Sequence, residues 1–221
     1  MKTLEAKSNM MVMFNLLRLG ALEFSAASSM CTISRMLNIL FGAIFLGFAA
    51  TSLAAQPALD NERVTVWDTR GVMPPAQNDF VAVSLSQKGT ANFGHRGDTP
   101  GKAGVRTVVI ELKNHATGSI PNNSGYPLAF PRPRVKKLFE NDRVIVWDYA
   151  WRAHEPTPMH FHDKDALVVF EGNGPLQSTT SDGKSVVNDY HFGDIRFNRR
   201  DRTHTELLLH GHQHAIITEL K

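Results

Sequence analysis

Residues 158–172 read PMHFHDKDALVVFEG. In a β-strand alternate side chains share a face, so His160 and His162 project together while Phe161 points the other way. The run that follows, ALVVF, is short, apolar and β-branched, which suits a buried strand. Working outward, residues 143–151, 193–198, 203–209 and 215–220 have the same character. Ser181-Asp182-Gly183-Lys184 lies between two more such segments, 176–180 and 185–189, as a hairpin turn in which Asp-Gly supplies positive φ. Beyond the N-terminal region no stretch carries a 3.6-residue apolar period. The fold class expected is all-β, a sandwich or barrel of short antiparallel strands.

A repeat organises the chain. NERVTVWD at 61–68 returns as NDRVIVWD at 141–148, with six of eight positions identical. VVIELK at 108–113 returns as IITELK at 216–221, so the two copies begin and end alike and the first is shorter. This divides the sequence into an N-terminal extension with a signal peptide (1–55), a shorter β unit (56–113), a Pro/Gly-rich linker on the surface (114–139) and a complete barrel (140–221). The first copy offers no comparable histidine set, and its expected role is to cover a face of the second copy or to pair in a homodimer.

His160 and His162, with Asp165 nearby and His204 far downstream, form a nitrogen and oxygen donor set for one divalent transition ion, Fe, Mn, Zn or Ni. Cu(I) is disfavoured because no thiolate is at hand. Glu206 shares the strand face of His204 and is the candidate catalytic acid or base. The cluster His210-Gly211-His212-Gln213-His214 lies between two strand-like segments and reads as an exposed turn. Metal binding is expected to weaken below about pH 6, because imidazole must be neutral to coordinate.

The second copy resembles the cupins, whose first motif is G-x5-H-x-H-x3-4-E-x6-G and whose second is G-x5-P-x-G-x2-H-x3-N. Here His160-Phe161-His162, Asp165 and Gly172 match the first, and Gly193 followed by His204 after ten residues matches the second. Asp165 replaces the usual Glu one residue early, and it is expected either as fourth ligand or as an anchor behind the ligands. His154 stands at the first motif's opening Gly, Arg199 and Asp201 at the second motif's Pro and Gly, and Leu208 at its Asn. The resemblance implies a jelly-roll barrel and a range of chemistry: dioxygenation, isomerisation, lyase reactions, or binding without catalysis. The expected function is that of an exported metalloenzyme acting on a small oxygenated organic molecule. A non-catalytic small-molecule-binding or scaffold cupin is the alternative.

Residues 36–50, MLNILFGAIFLGFAA, follow Arg35 and precede the small residues Thr51 to Ala55. A positive residue, an apolar core and a small-residue exit fit a secretory signal cut after Ala54 or Ala55, and the core is short for a membrane span. The expected location is periplasmic or secreted, with no stable membrane anchor after cleavage. Cys31, the one cysteine, precedes this run, so the mature chain would carry no thiol. No basic run with interleaved aromatics accompanies the net charge of +3, which argues against a nucleic-acid partner.

Overall fold

The stretches TVVIEL and QHAIITEL become β5 (Thr107–Leu112) and β14 (Gln213–Leu220), and every residue of both is buried. A strand of this kind belongs inside a sheet that is covered on both faces. The computed structural model describes residues 56–86, 88–113 and 117–221. The apolar run at 36–50, its cleavage site and Cys31 lie outside the described residues.

Three antiparallel sheets follow. The outer sheet has the order β1 (Leu59–Asp60), β2 (Val64–Thr69), β5, β3 (Phe80–Ser84), β4 (Ala91–Gly94). The middle sheet runs β12 (Ile195–Asn198), β9 (Asp165–Phe170), β14, β7 (Val144–Trp151), β6 (Lys136–Glu140). The front sheet runs β11 (Ser185–Tyr190), β10 (Gly174–Thr180), β13 (Arg202–Leu208), β8 (His160–His162). Middle and front sheets face each other as a jelly-roll barrel. Trp147, Tyr149, Val168, Phe170 and Ile217 from the middle sheet meet Leu176 and Leu208 from the front one.

The alternate residues of the middle sheet, Val144, Val146, Leu167, Val169 and Ile216, pack instead against Val64, Val66, Val83, Val108 and Ile110 of the outer sheet. Strict period-2 alternation thus sends neighbouring residues into two different cores. Each such side chain contributes about 1.5–3 kcal/mol when fully buried. The shorter β unit therefore covers the barrel's outer face.

The repeated sequences make repeated bonds. Val64 is opposite Leu112 as Val144 is opposite Leu220. Asn61 Oδ1 accepts the N–H groups of Arg63 and Val64 at 2.8 and 3.0 Å, and Asn141 Oδ1 accepts those of Arg143 and Val144, both at 2.9 Å. The two copies also reach across to each other. Arg63 Nη2 donates to Lys221 O (3.2 Å), and Arg143 Nη2 donates to Lys113 O (3.1 Å).

The segment expected as a surface linker is less peripheral than its Pro and Gly content suggested. Its last residues form β6, and residues 127–129 run beside β8, with Ala129 N–H bonded to Phe161 O and Phe161 N–H to Pro127 O, both 2.8 Å. Ala129 and Phe130 are buried. The backbone also absorbs the departures from the motif. His154 and Asp201, standing where glycine is usual, both adopt φ of 64°, the left-handed conformation that glycine would take freely. Gly172 is kept where it is needed, since a Cβ there would lie 2.2 Å from His212 O.

Candidate metal centre

The antiparallel register of β8 and β13 sets His204 opposite His160 and Arg202 opposite His162. Parity then turns all four side chains to the barrel interior. The three imidazoles form a near-equilateral triangle, with ring centroids 4.9 to 5.0 Å apart. One ligand nitrogen from each lies within 4.8 Å of the others, and all three residues are buried. His162 Nε2 and His204 Nε2 are 3.1 Å apart.

The outward nitrogens explain why the inner ones converge. His160 Nδ1 is 2.7 Å from Pro158 O, so it carries the proton and leaves Nε2 as a lone pair facing inward. His204 Nδ1 meets Ser178 Oγ at 3.0 Å. Bonds of this sort orient ligand imidazoles in metal sites. Burial, with the charge of Arg132, pushes His160 down to about 4. Burial likewise holds His162 well below the ordinary range and lowers His204, aided by Arg202 in each case. Each ring thus favours the neutral, donating form more than a free imidazole does. The donor set fits a divalent transition ion.

Asp165, expected either as fourth ligand or as an anchor behind the ligands, lies away from the imidazoles. It begins β9 on the face turned to the outer sheet, where Oδ2 accepts Arg63 Nη1 at 2.7 Å and Oδ1 accepts Arg200 N–H at 2.8 Å. A one-residue change in a strand reverses the face, and Asp165 falls on the wrong parity. The position four residues beyond the second histidine, which does face inward, is Ala166. No carboxylate therefore enters the barrel from this position of β9.

Glu206 is the carboxylate that does reach the histidines, with Oε1 3.9 Å from His204 Nε2. Its Oε2 accepts Trp151 Nε1 at 3.0 Å and Arg132 Nη2 at 3.2 Å. Burial opposes its charge, but Arg132 and the two nearby histidines outweigh burial and hold it at about 2. A carboxylate so strongly ionised is better suited to neutralising positive charge than to shuttling protons near neutral pH.

Arg132 belongs to the site without any local sequence signal pointing to it. It comes from the proline-rich segment, crosses the Tyr149 ring at 4.0 Å and places Nη1 3.2 Å from His160 Nε2. His210 and His212 are exposed in the turn after β13, as expected. His214 is not; it is buried in β14, 2.5 Å from Asp148 Oδ1 and 2.7 Å from Glu171 Oε2.

No family model matches the chain, and no curated protein does. Among solved structures, a cupin domain from Bordetella pertussis is 24% identical over 43% of this chain and 96% of its own, with a TM-score of 0.37. A cupin 2 conserved barrel domain protein from Leptotrichia buccalis is 10% identical over 74% and 86%, with a TM-score of 0.44. An RmlC-like cupin family protein from Methanocaldococcus jannaschii is 14% identical over 50% and 86%, with a TM-score of 0.34. Each of these is a cupin protein to which this chain is similar; the chain's own two facing antiparallel sheets form a jelly-roll barrel, with β8 and β13 turning their histidines inward.

Proposed function

We propose that this chain is an exported metalloenzyme that acts on a small oxygenated organic molecule, with one divalent transition ion held by His160, His162 and His204. The observation that carries this reading is the convergence of three neutral, buried imidazoles whose outward nitrogens on His160 and His204 are tied back. Such an ion would act as a Lewis acid toward a carbonyl or hydroxyl oxygen, or lower the pKa of water. The chain's own part is to hold the donors and to place Glu206 beside His204 as the compensating carboxylate. The export component rests on the residues at 35–55, and the intact mass of natively produced protein tests it: a mature chain starting near Gln56 supports it, and a chain starting at Met1 counts against it.

Metal analysis after dialysis should return one ion per chain. His162→Ala or His204→Ala should remove most of it, whereas changing exposed His210 and His212 together should leave the stoichiometry alone. If the double change empties the protein and His162→Ala does not, the centre has been placed wrongly.

Arg132 supplies a sharper test, because a guanidinium next to His160 Nε2 repels a cation. Arg132→Met should tighten zinc binding at least about tenfold, as removal of a near-contact unit charge requires, and it also frees Glu206. Competition with a chromophoric chelator measures this; weaker binding would make Arg132 an organiser of the site. The same guanidinium, together with Ala166, favours a second reading, a binding cupin without catalysis. Product analysis after incubating the metal-loaded protein with hydroxy acids, phenols and sugars separates the two, turnover supporting the enzyme.

A further inference from the structure

A cavity of about 80 Å³ opens from the histidines, lined at its outer part by the edge strands β11 and β12. At roughly 10–15 Å³ for each water in this measure, it holds about six non-hydrogen atoms. Its charged lining is uneven: Arg132, Arg196 and Arg202 against Glu206 alone. Arg132 is already paired with Glu206.

Neither of the other two arginines makes a close ion pair among the described residues: Glu206 acts on Arg202 only through space, and Arg196 bonds the Tyr190 hydroxyl. Arg202 is half-buried, and its Nε donates to Arg199 O at 2.7 Å, which leaves both terminal nitrogens for the cavity. Arg196, exposed at the mouth, donates Nε to Asn198 Oδ1 at 3.2 Å and holds its guanidinium 5.9 Å from the centre of the Tyr190 ring. That ring is itself fixed by stacking on Phe170, with centroids 4.0 Å apart. A half-buried cation with no counter-charge in contact is costly, and a divalent ion nearby makes the imbalance worse.

We propose that the cavity takes a small carboxylate, such as a hydroxy or keto acid. Its carboxyl group is held by the terminal nitrogens of Arg202 with Arg196 at the mouth, and its second oxygen is directed at the histidines. This rests on the metal-centre reading above. Arg202 and His204 are alternate residues of one strand, roughly 7 Å apart along it, a span that two or three carbons bridge. A guanidinium fork matches a carboxylate geometrically, whereas a neutral phenol or sugar leaves the charge unbalanced.

The test is calorimetric titration of the full mature chain, zinc-loaded and metal-free, with lactate, lactamide and inorganic phosphate. Zinc-loaded protein should prefer lactate to lactamide by about tenfold or more, the worth of one charge-assisted contact. Arg202→Met should abolish that preference, Arg196→Met should reduce it, and Arg152→Met, an exposed arginine, should leave it intact. Zinc stoichiometry and near-ultraviolet circular dichroism report whether each variant is folded. If Arg202→Met is not, Arg202→Gln takes its place with the same expectation. Protein that binds no zinc yet prefers lactate through Arg202 supports the carboxylate site and overturns the metal reading. Zinc-loaded protein that binds lactate and lactamide alike, that keeps its preference without Arg202, or that binds phosphate but not lactate overturns the proposal.

Discussion

Asp165→Ala is expected to lower the unfolding free energy by about 3–5 kcal/mol, the usual consequence of removing one partner from a buried ion pair. The folded fraction should nevertheless keep its metal. The side chains of Arg63 and Asp165 are 4% and 7% exposed, and their contact of 2.7 Å joins the outer sheet to the middle one. Arg63 also bonds Thr117 Oγ1, and Asp165 accepts the Arg200 N–H, so each group depends on several others. Without Asp165 the guanidinium keeps its burial and loses its counter-charge. Arg63→Met combined with Asp165→Leu should cost less than either single change, because it removes both charges at once. Urea unfolding measures all three. Loss of metal without loss of stability in Asp165→Ala would return Asp165 to the ligand set.

His214→Ala should cost a similar amount, about 3–5 kcal/mol near pH 6, and the cost should shrink as the pH rises. The ring sits between Asp148 and Glu171, and the Glu171 side chain is 1% exposed. Burial opposes the charge on the imidazole, but the bonds to Glu171 and Asp148 together raise its pKa above the ordinary value. A raised pKa in the folded state means that the folded chain holds a proton which the unfolded chain releases above about 6.5. The stabilisation is full below that pH and disappears as pH rises through the elevated value. Glu171 also accepts Gly89 N–H at 2.9 Å, so the outer sheet's β3–β4 loop should loosen with it. Urea titrations of wild type and variant at pH 6 and pH 9 check this; a difference that grows with pH would contradict the assignment. The three central histidines act in the opposite sense: held neutral, they destabilise the fold as pH falls below about 6.5.

The sequence made the histidine triangle legible because strand periodicity and motif spacing both pointed to it. The same periodicity, applied one residue out of step, misplaced Asp165; nothing local distinguishes inward from outward when both faces of β9 are buried. Glu206 was found because it shares parity with His204, and Arg202 could have been found the same way. Arg132 could not, since its place depends on residues 127–132 lying along β8, a long-range contact that proline content hides. The outer strands were legible through the repeat, and their packing on the barrel is one of the two roles expected for them, the other being pairing in a homodimer; the bridge from Arg63 to Asp165 depends on how the two parts meet in space.

The reciprocal reach of Arg63 to Lys221 and Arg143 to Lys113 has a bearing on assembly. Contacts in which each partner gives the other what it receives are the mark of a two-fold axis, the arrangement found between subunits of symmetric dimers. Here both partners belong to one polypeptide. Their meeting is unimolecular, so dilution cannot separate them, unlike a true subunit interface. The two parts divide the work within that one chain: one holds the histidines, and the other is a permanent cover for the barrel's outer face.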